Sequence, residues 1–453
     1  MSVAWRVKGD PGGIGDGMLS LSRGWPFVFY ITWIKIMGWV ILMPEKGEAE
    51  KVRVLRNGVL IDGTGKAPIK DAVVVIKGNK IEAVGEAGDV RVPGSAEVID
   101  VKGRTIMPGM IELHGHMAFT WPGQPIDEGL LALRSAHALK QSLDKGITTV
   151  RSAGENFKTA FAIKTAQGRG LFVGSRVRVC GGIIAITGGH GNVTADGPWE
   201  CRKRVREAIK AGADHIKIGT THRPWRGVEE FTMEELRAIV EEAHKYGKKV
   251  MAHAAMMPGM KMAIEAGVDS IEHGPSEFPF EVDDETVNLM IESGIWWVPT
   301  LWVFLHERTP EEERWRKMRL EQMPPEEAEL SEKWFNEDVR KYAPINFKKC
   351  LAAGFKRIGT GTDTMGGSKF HTFGQAHEEA ILFVKYGMEP MEAIKAATLN
   401  AAMVMGEEEK LGSIEPGKLA DIIVVDGNPL EDITVLRKVL LVILDGKVYK
   451  NEL

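Results

Sequence analysis

The chain has 453 residues, 44% of them hydrophobic and 26% charged, with a formal net charge of −4 at pH 7. This is an ordinary globular composition, long enough for a barrel of about 250 residues and a second domain. The near balance of charge, without a Lys/Arg run to track phosphates, argues against nucleic acid as a partner, and three scattered cysteines (Cys180, Cys201 and Cys350) argue against a disulfide framework and for the cytoplasm.

Residues 24–43, GWPFVFYITWIKIMGWVILM, approach the ~20 apolar residues that span a bilayer. Lys35 in the middle of that run costs roughly 2.5–3.5 kcal/mol on insertion, and no clean signal-peptide cleavage site follows it. Residues 1–50 are therefore read as an apolar extension. It is an over-called start with Met43 as the working initiator or, as the lesser alternative, a membrane anchor.

Residues 51–107 hold short alternating stretches, VRVLRNGVLIDG and DAVVVIKGNKIEAVG, broken at Asn-Gly, Asp-Gly and Gly-Asn. Residues 408–453 repeat the habit in ADIIVVDGNP and VLLVILDGKVY. Strands at both ends of a long α/β body predict one discontinuous β-sandwich built from both termini. Between them, over residues 108–407, strand candidates alternate with amphipathic helices. In chain order the strands are TIMPGMIELHGHM, GITTVRSAG, RVRVCGGIIAITGG, DHIKIGTT, KKVMAHAAM, DSIEHGP, IWWVPTLWVF and RIGTGTDT. Helices such as MEELRAIVEEAHKYG and AHEEAILFVKYG separate them. Eight βα units predict a (β/α)8 TIM-like barrel. Two insertions, 185–198 and 305–345, fall after strands three and seven, where a lid or a solvated surface element is expected.

In such a barrel the active site lies at the C-terminal strand ends. Those ends carry His114 and His116 on strand one, Lys217 on four, His253 on five, His273 on six and Asp363 on eight. The two-residue period of a strand puts His114 and His116 on one face. Imidazole and carboxylate are the ligands that zinc and similar divalent ions take. Repeated burial of unpaired charge at one rim would otherwise be too costly. His215 sits one layer below Lys217 and is expected to be a satisfied core histidine. His137 and His244 fall on helices facing away from the mouth, while His222, His306 and His371 follow strands four, seven and eight.

From Val52 to the C-terminus the chain resembles the amidohydrolase superfamily, and within it the imidazolonepropionase-related prolidases, carboxypeptidases and amidases. IMPGMIELHGHM, TGGHG, DHIKIG, KVMAHA, AGVDSIEHG, GTGTDT and EAIKAATLNAAMVMG…LGSIEPGKLADIIVVDGNPL carry the resemblance. It implies two divalent ions, taken to be zinc. His114, His116 and Asp363 hold the more buried one, and His253 and His273 hold the other. Lys217 is implied to react with carbon dioxide, giving a carbamate that bridges both. A hydroxide shared by the ions then attacks an amide carbonyl, Asp363 relays its proton to the leaving nitrogen, and His190 donates to the oxyanion.

The expected substrate is a small amide: a dipeptide, an Xaa-Pro compound or an N-acyl amino acid. A cyclic amide or imidazolone hydrolase and a one-metal deaminase are the alternatives. Lys217 weighs against the deaminase, and the complete ligand set weighs against a non-catalytic scaffold. Prolidase-like members place a tyrosine two positions after the strand-five histidine; here Ala255 stands there, followed by Met256 and Met257. With Trp302 near the end of strand seven, a pocket for a bulky apolar or aromatic group is expected, and Arg223 or Arg226 is expected to hold a substrate carboxylate. A homo-oligomer is compatible with all of this.

Overall fold

The computed structural model describes residues 3–6, 16–19, 51–117, 127–221, 231–366 and 373–453. Arg223, Arg226, His222, His371 and the apolar run 24–43 lie outside the described residues. The chain divides into two compact units, residues 1–49 and 50–453. In the first, Val3–Arg6 pairs antiparallel with Asp16–Leu19. Among the described residues no helix is long and apolar enough to cross a membrane.

In the second unit the two chain ends build one eight-stranded sheet. Its centre is the antiparallel pairing of Thr105–Pro108 with Ile422–Val425, Ile422 opposite Pro108. The N-terminal strands Val52–Leu60, Ile69–Lys77 and Lys80–Glu86 extend it on one side, and Val439–Leu444 and Lys447–Asn451 on the other. The run AVVVI in the second of these strands is buried throughout because both of its faces are covered. Val74 and Ile76 pack with Leu55, Ile106 and Ile422, whereas Val73 and Val75 pack with Val54. The sandwich expected from both termini is therefore present.

The barrel follows directly from that sheet. Met110–His116 pairs in parallel with Ile147–Ser152, which pairs with Arg176–Arg178. A second parallel run links Ile216–Gly219, Val250–His253, Ser270–Glu272 and Trp296–Val298. Asp214 N donates to Val179 O (2.8 Å), joining the two runs on one side. On the other, the Trp297–Ile358 bridge and the bond from Leu113 N to Thr360 O (3.0 Å) close the ring. Gly361 must be glycine here: a Cβ would lie 2.4 Å from Val298 Cγ1 and 2.8 Å from His114 Cβ. Connecting helices are capped as their sequences suggest. Thr232 and Glu235 form a capping box at the start of Met233–Lys245.

Three strands are shorter than the sequence suggests. Strand three stops at Arg178 and resumes as Ile183–Ala185, and strand eight is regular only at Thr364–Met365. Strand seven ends at Val298, so Trp302 stands in a short helix, Leu301–Leu305, and not on a strand end. The reason is local. Thr300 turns left-handed (φ 52°), and the buried carboxylate of Glu379 accepts from Leu301 N (2.8 Å) and Trp302 N (2.7 Å). Burial holds the Glu379 carboxyl well above its ordinary range, against those two hydrogen bonds.

The insertion after strand seven is helical: Pro310–Glu321, Pro325–Lys333, a π-turn at Trp334–Asp338, and Val339–Ala352. Trp334, Val339, Ala343 and Phe347 are buried, and Arg340 Nη1 donates to Phe304 O (3.0 Å). One face of the insertion is thus part of the wall rather than wholly solvated.

Candidate metal centre

Strand one directs three groups inward: Glu112, His114 and His116, at alternate positions. Gly115 between the histidines packs against Phe373, whose Cζ would stand 2.7 Å from a Cβ there. His114 Nδ1 donates to Glu272 Oε2 and His116 Nδ1 to the Gly154 carbonyl, both at 2.7 Å. Carboxylate and carbonyl oxygens only accept, so each ring carries its proton on Nδ1. That turns both Nε2 atoms toward Asp363, whose Oδ1 lies 3.7 Å from the first and 3.1 Å from the second. A hydrogen bond from the ring nitrogen opposite the ligating one commonly fixes an imidazole for metal binding.

The other histidines close the group. The His273 ring centroid is 4.7 Å from both His114 and His253, and His190 stacks on His253 at 4.2 Å. His273 Nδ1 meets Thr300 Oγ1 at 2.7 Å. Two sets of ligand atoms emerge: His114, His116 and Asp363, and His253, His273 and Glu277. Glu277, at the end of the turn Gly274–Glu277, has its Oε2 3.9 Å from His273 Nδ1. The structure thus brings His114, His116, His253, His273, Asp363 and His190 together, and adds Glu277.

The electrostatics fit cation ligands. Burial holds His114 and His253 well below the ordinary imidazole range and pushes His273 down to about 3, which leaves their lone pairs available. For His116, burial is outweighed by the hydrogen bond and charge of Asp363, and its value rises. Asp363 in turn is held below the ordinary carboxylate range: burial opposes this, but the His116 hydrogen bond and the neighbouring histidines prevail. A divalent cation offers Asp363 the same compensating charge as that shared proton and competes for the same lone pair.

Lys217 is fully enclosed, and among the described residues its Nζ has no hydrogen-bond partner. Burial lowers it to about 8, with Glu272 and Asp363 partly offsetting that loss. A buried amine without an acceptor is costly as it stands. It suits a group that completes its surroundings by gaining carboxylate oxygens and cations, and in that sense the donor set fits two divalent ions.

Several charged groups around the site escape a strand-by-strand reading. Arg151, buried inside the barrel, donates from Nη2 to Glu272 Oε1 (2.8 Å), from Nη1 to Ser270 Oγ (3.1 Å) and from Nε to Leu113 O (2.7 Å). Removing one partner from such a pair costs on the order of 3–5 kcal/mol. Glu112 accepts from Thr362 Oγ1 (2.6 Å), Thr362 N (2.8 Å) and His114 N (3.1 Å), tying strand one to strand eight. Burial nonetheless pushes it up to about 7. The signal for Glu112 was its place on the inward face with His114 and His116. His215, by contrast, bonds Ser152 O (2.9 Å) as a core histidine. Trp302 is buried and stacks on His306 at 4.1 Å, His137 is exposed, and His244 pairs with Asp269.

Comparison with known proteins adds a lineage to this geometry. The model of the amidohydrolase family matches residues 105–449. Ochratoxinase of Aspergillus niger is 30% identical over 456 aligned residues, covering 88% of this chain and 87% of that protein. A Xaa-Pro dipeptidase with methionine in its active site superposes with a TM-score of 0.73 at 31% identity, over 88% of this chain and 100% of that one. A prolidase complexed with N-methylphosphonate-L-proline gives a TM-score of 0.75 at 30% identity, over 88% and 100%.

Proposed function

Because the chain belongs to the amidohydrolase family, and is a metal-dependent hydrolase acting on carbon–nitrogen bonds, we propose that it cleaves the amide bond of a small substrate with a bulky apolar or aromatic group beside that bond. Dipeptides and N-acyl amino acids are the substrate class. The observation that carries this reading is the aromatic wall at the metal centre: Phe304 lies 6.2 Å from the His273 ring, with Phe335 6.1 Å behind it. Ala255, two positions after His253, and the half-buried Met256 and Met257 support the same reading. Relatives named for ochratoxin and for Xaa-Pro dipeptides point toward amide cleavage.

Two divalent ions, zinc by the preference of this ligand set, would supply Lewis-acid activation of the scissile carbonyl and of water near neutral pH. His114, His116 and Asp363 would hold one, and His253, His273 and Glu277 the other. Lys217 would complete the site once its neutral amine adds to carbon dioxide: an Nζ–C bond forms, a proton leaves, and a carbamate carboxylate remains. The second oxygen of Asp363 takes the proton of the attacking water and gives it to the leaving nitrogen. His190, over the His253 ring, donates to the oxygen of the tetrahedral carbon. Arg223 or Arg226 holds a substrate carboxylate through its planar fork.

The test is kcat/KM across Xaa-Pro dipeptides, dipeptides ending in Phe, Leu or Arg, and aromatic N-acyl amino acids. A well-seated apolar group contributes about 1–3 kcal/mol, so the bulky substrates should lead by ~10–200-fold. Preference for small Xaa-Pro dipeptides, unchanged in Arg223→Ala and Arg226→Ala, would replace this reading with an ordinary prolidase.

A further inference from the structure

We propose that the buried Arg151–Glu272 pair makes the ion at His114, His116 and Asp363 the tightly bound one and leaves the ion at His253, His273 and Glu277 exchangeable. This rests on the two-ion reading above and goes beyond it by ranking the two sites. The difference lies behind the histidines. His114 Nδ1 donates to a carboxylate at 2.7 Å, and that carboxylate is itself held by Arg151 Nη2 (2.8 Å) and Ser270 Oγ (2.7 Å). Glu272 is fully enclosed, so no water competes for its oxygens. A carboxylate behind an imidazole fixes the ring and makes its far nitrogen a stronger donor.

Nothing comparable stands behind the second group. His273 Nδ1 bonds the neutral hydroxyl of Thr300 at 2.7 Å, with the Glu277 carboxylate 3.9 Å away and beyond hydrogen-bond reach, and among the described residues no hydrogen bond fixes the His253 ring. Glu272 belongs to strand six and directly precedes His273, yet its partner His114 is 158 residues away. Its side chain points into the barrel toward strand one while His273 turns out of the strand at φ 63°. One short segment thus supplies a ligand to one ion and the orienting carboxylate to the other. Glu272 and Arg151 are positioning residues: neither needs to touch substrate.

The experiment titrates the full chain, stripped by chelator, with Zn²⁺ against a competing metal indicator in the presence of bicarbonate, and counts bound metal per chain. Two steps are expected, the first at least ~10-fold tighter. Glu272→Gln should weaken the tight step by ~10–100-fold and leave the loose step within ~3-fold. Ser270→Ala, which keeps both charges, should shift the tight step in the same direction by less, and decides the matter if Glu272→Gln does not fold. Thr300→Val should move the loose step alone. Uptake of a single ion by the unaltered chain would sink the two-ion reading and this inference with it. Two ions of equal affinity, or equal weakening of both steps in Glu272→Gln and Ser270→Ala, would overturn the inference while the two-ion reading stands.

Discussion

Lys217→Ala is expected to leave a folded chain without measurable turnover and with fewer than two bound ions. The Lys217 Nζ lies fully enclosed and, among the described residues, without a hydrogen-bond partner. An alanine there removes no structural bond, so folding should survive. On the mechanism proposed above, what it removes is the nucleophile for carbon dioxide and so the carbamate carboxylate. Formate, acetate or propionate should restore part of both metal content and activity by entering the vacated space. The reaction also has a pH signature. Only the neutral amine adds to carbon dioxide, and burial lowers Lys217 to about 8. The ammonium form therefore dominates below that value and gives way above it. Reactivation of the stripped enzyme by metal and bicarbonate should quicken as pH rises through about 8, and the dependence should vanish in Lys217→Ala. Full turnover of that variant at saturating metal would remove the carbamate from the mechanism.

Asp363→Asn should lower kcat by ~10²–10⁴, the usual contribution of a positioned proton carrier. The amide keeps an oxygen for a cation but cannot take a proton at neutral pH. Asp363 is held below the ordinary carboxylate range, chiefly by the His116 hydrogen bond against the opposing effect of burial. It is therefore ionised and ready to accept across the neutral range. Bound metal must be measured beside kcat, because a loss of the ion would also abolish turnover. A metal-replete Asp363→Asn enzyme retaining more than about a tenth of the original kcat would exclude Asp363 as the proton carrier, on the scale expected of such groups.

Much of this centre was legible in one dimension. Period-two alternation sufficed to turn His114 and His116 the same way, and the rule that barrel sites lie at strand ends selected His253, His273 and Asp363 from twelve histidines and many more acids. The charged groups behind the ligands were not legible. Arg151 and Glu272 are 121 residues apart, and nothing local marks either as buried. Glu277 reaches the site only because His273 and Gly274 turn with positive φ before the short helix begins. Trp302 reads as strand in IWWVPTLWVF, yet a carboxylate 77 residues away caps the amides of Leu301 and Trp302 and starts a helix. At Leu301 and Trp302 a long-range hydrogen bond outweighs local propensity. In the insertion after strand seven, the Glu, Lys and Arg content suggests solvent, while the burial of Trp334 and Phe347 appears only once the helices are placed.

The sheet knit from both chain ends has a consequence for the order of events during synthesis. Thr105–Pro108 leaves the ribosome early, but its antiparallel neighbour, Ile422–Val425, follows roughly 300 residues later, or about 15–60 s at ordinary elongation rates. Until then the early strands present an unpaired edge, the feature that most invites association between nascent chains. Long-range pairing of this kind also slows folding, because the loop must close before the contact is gained. The strand that carries Glu112, His114 and His116 runs on directly from that waiting edge. Translation is therefore nearly complete before the strand that leads into the metal centre gains its antiparallel partner.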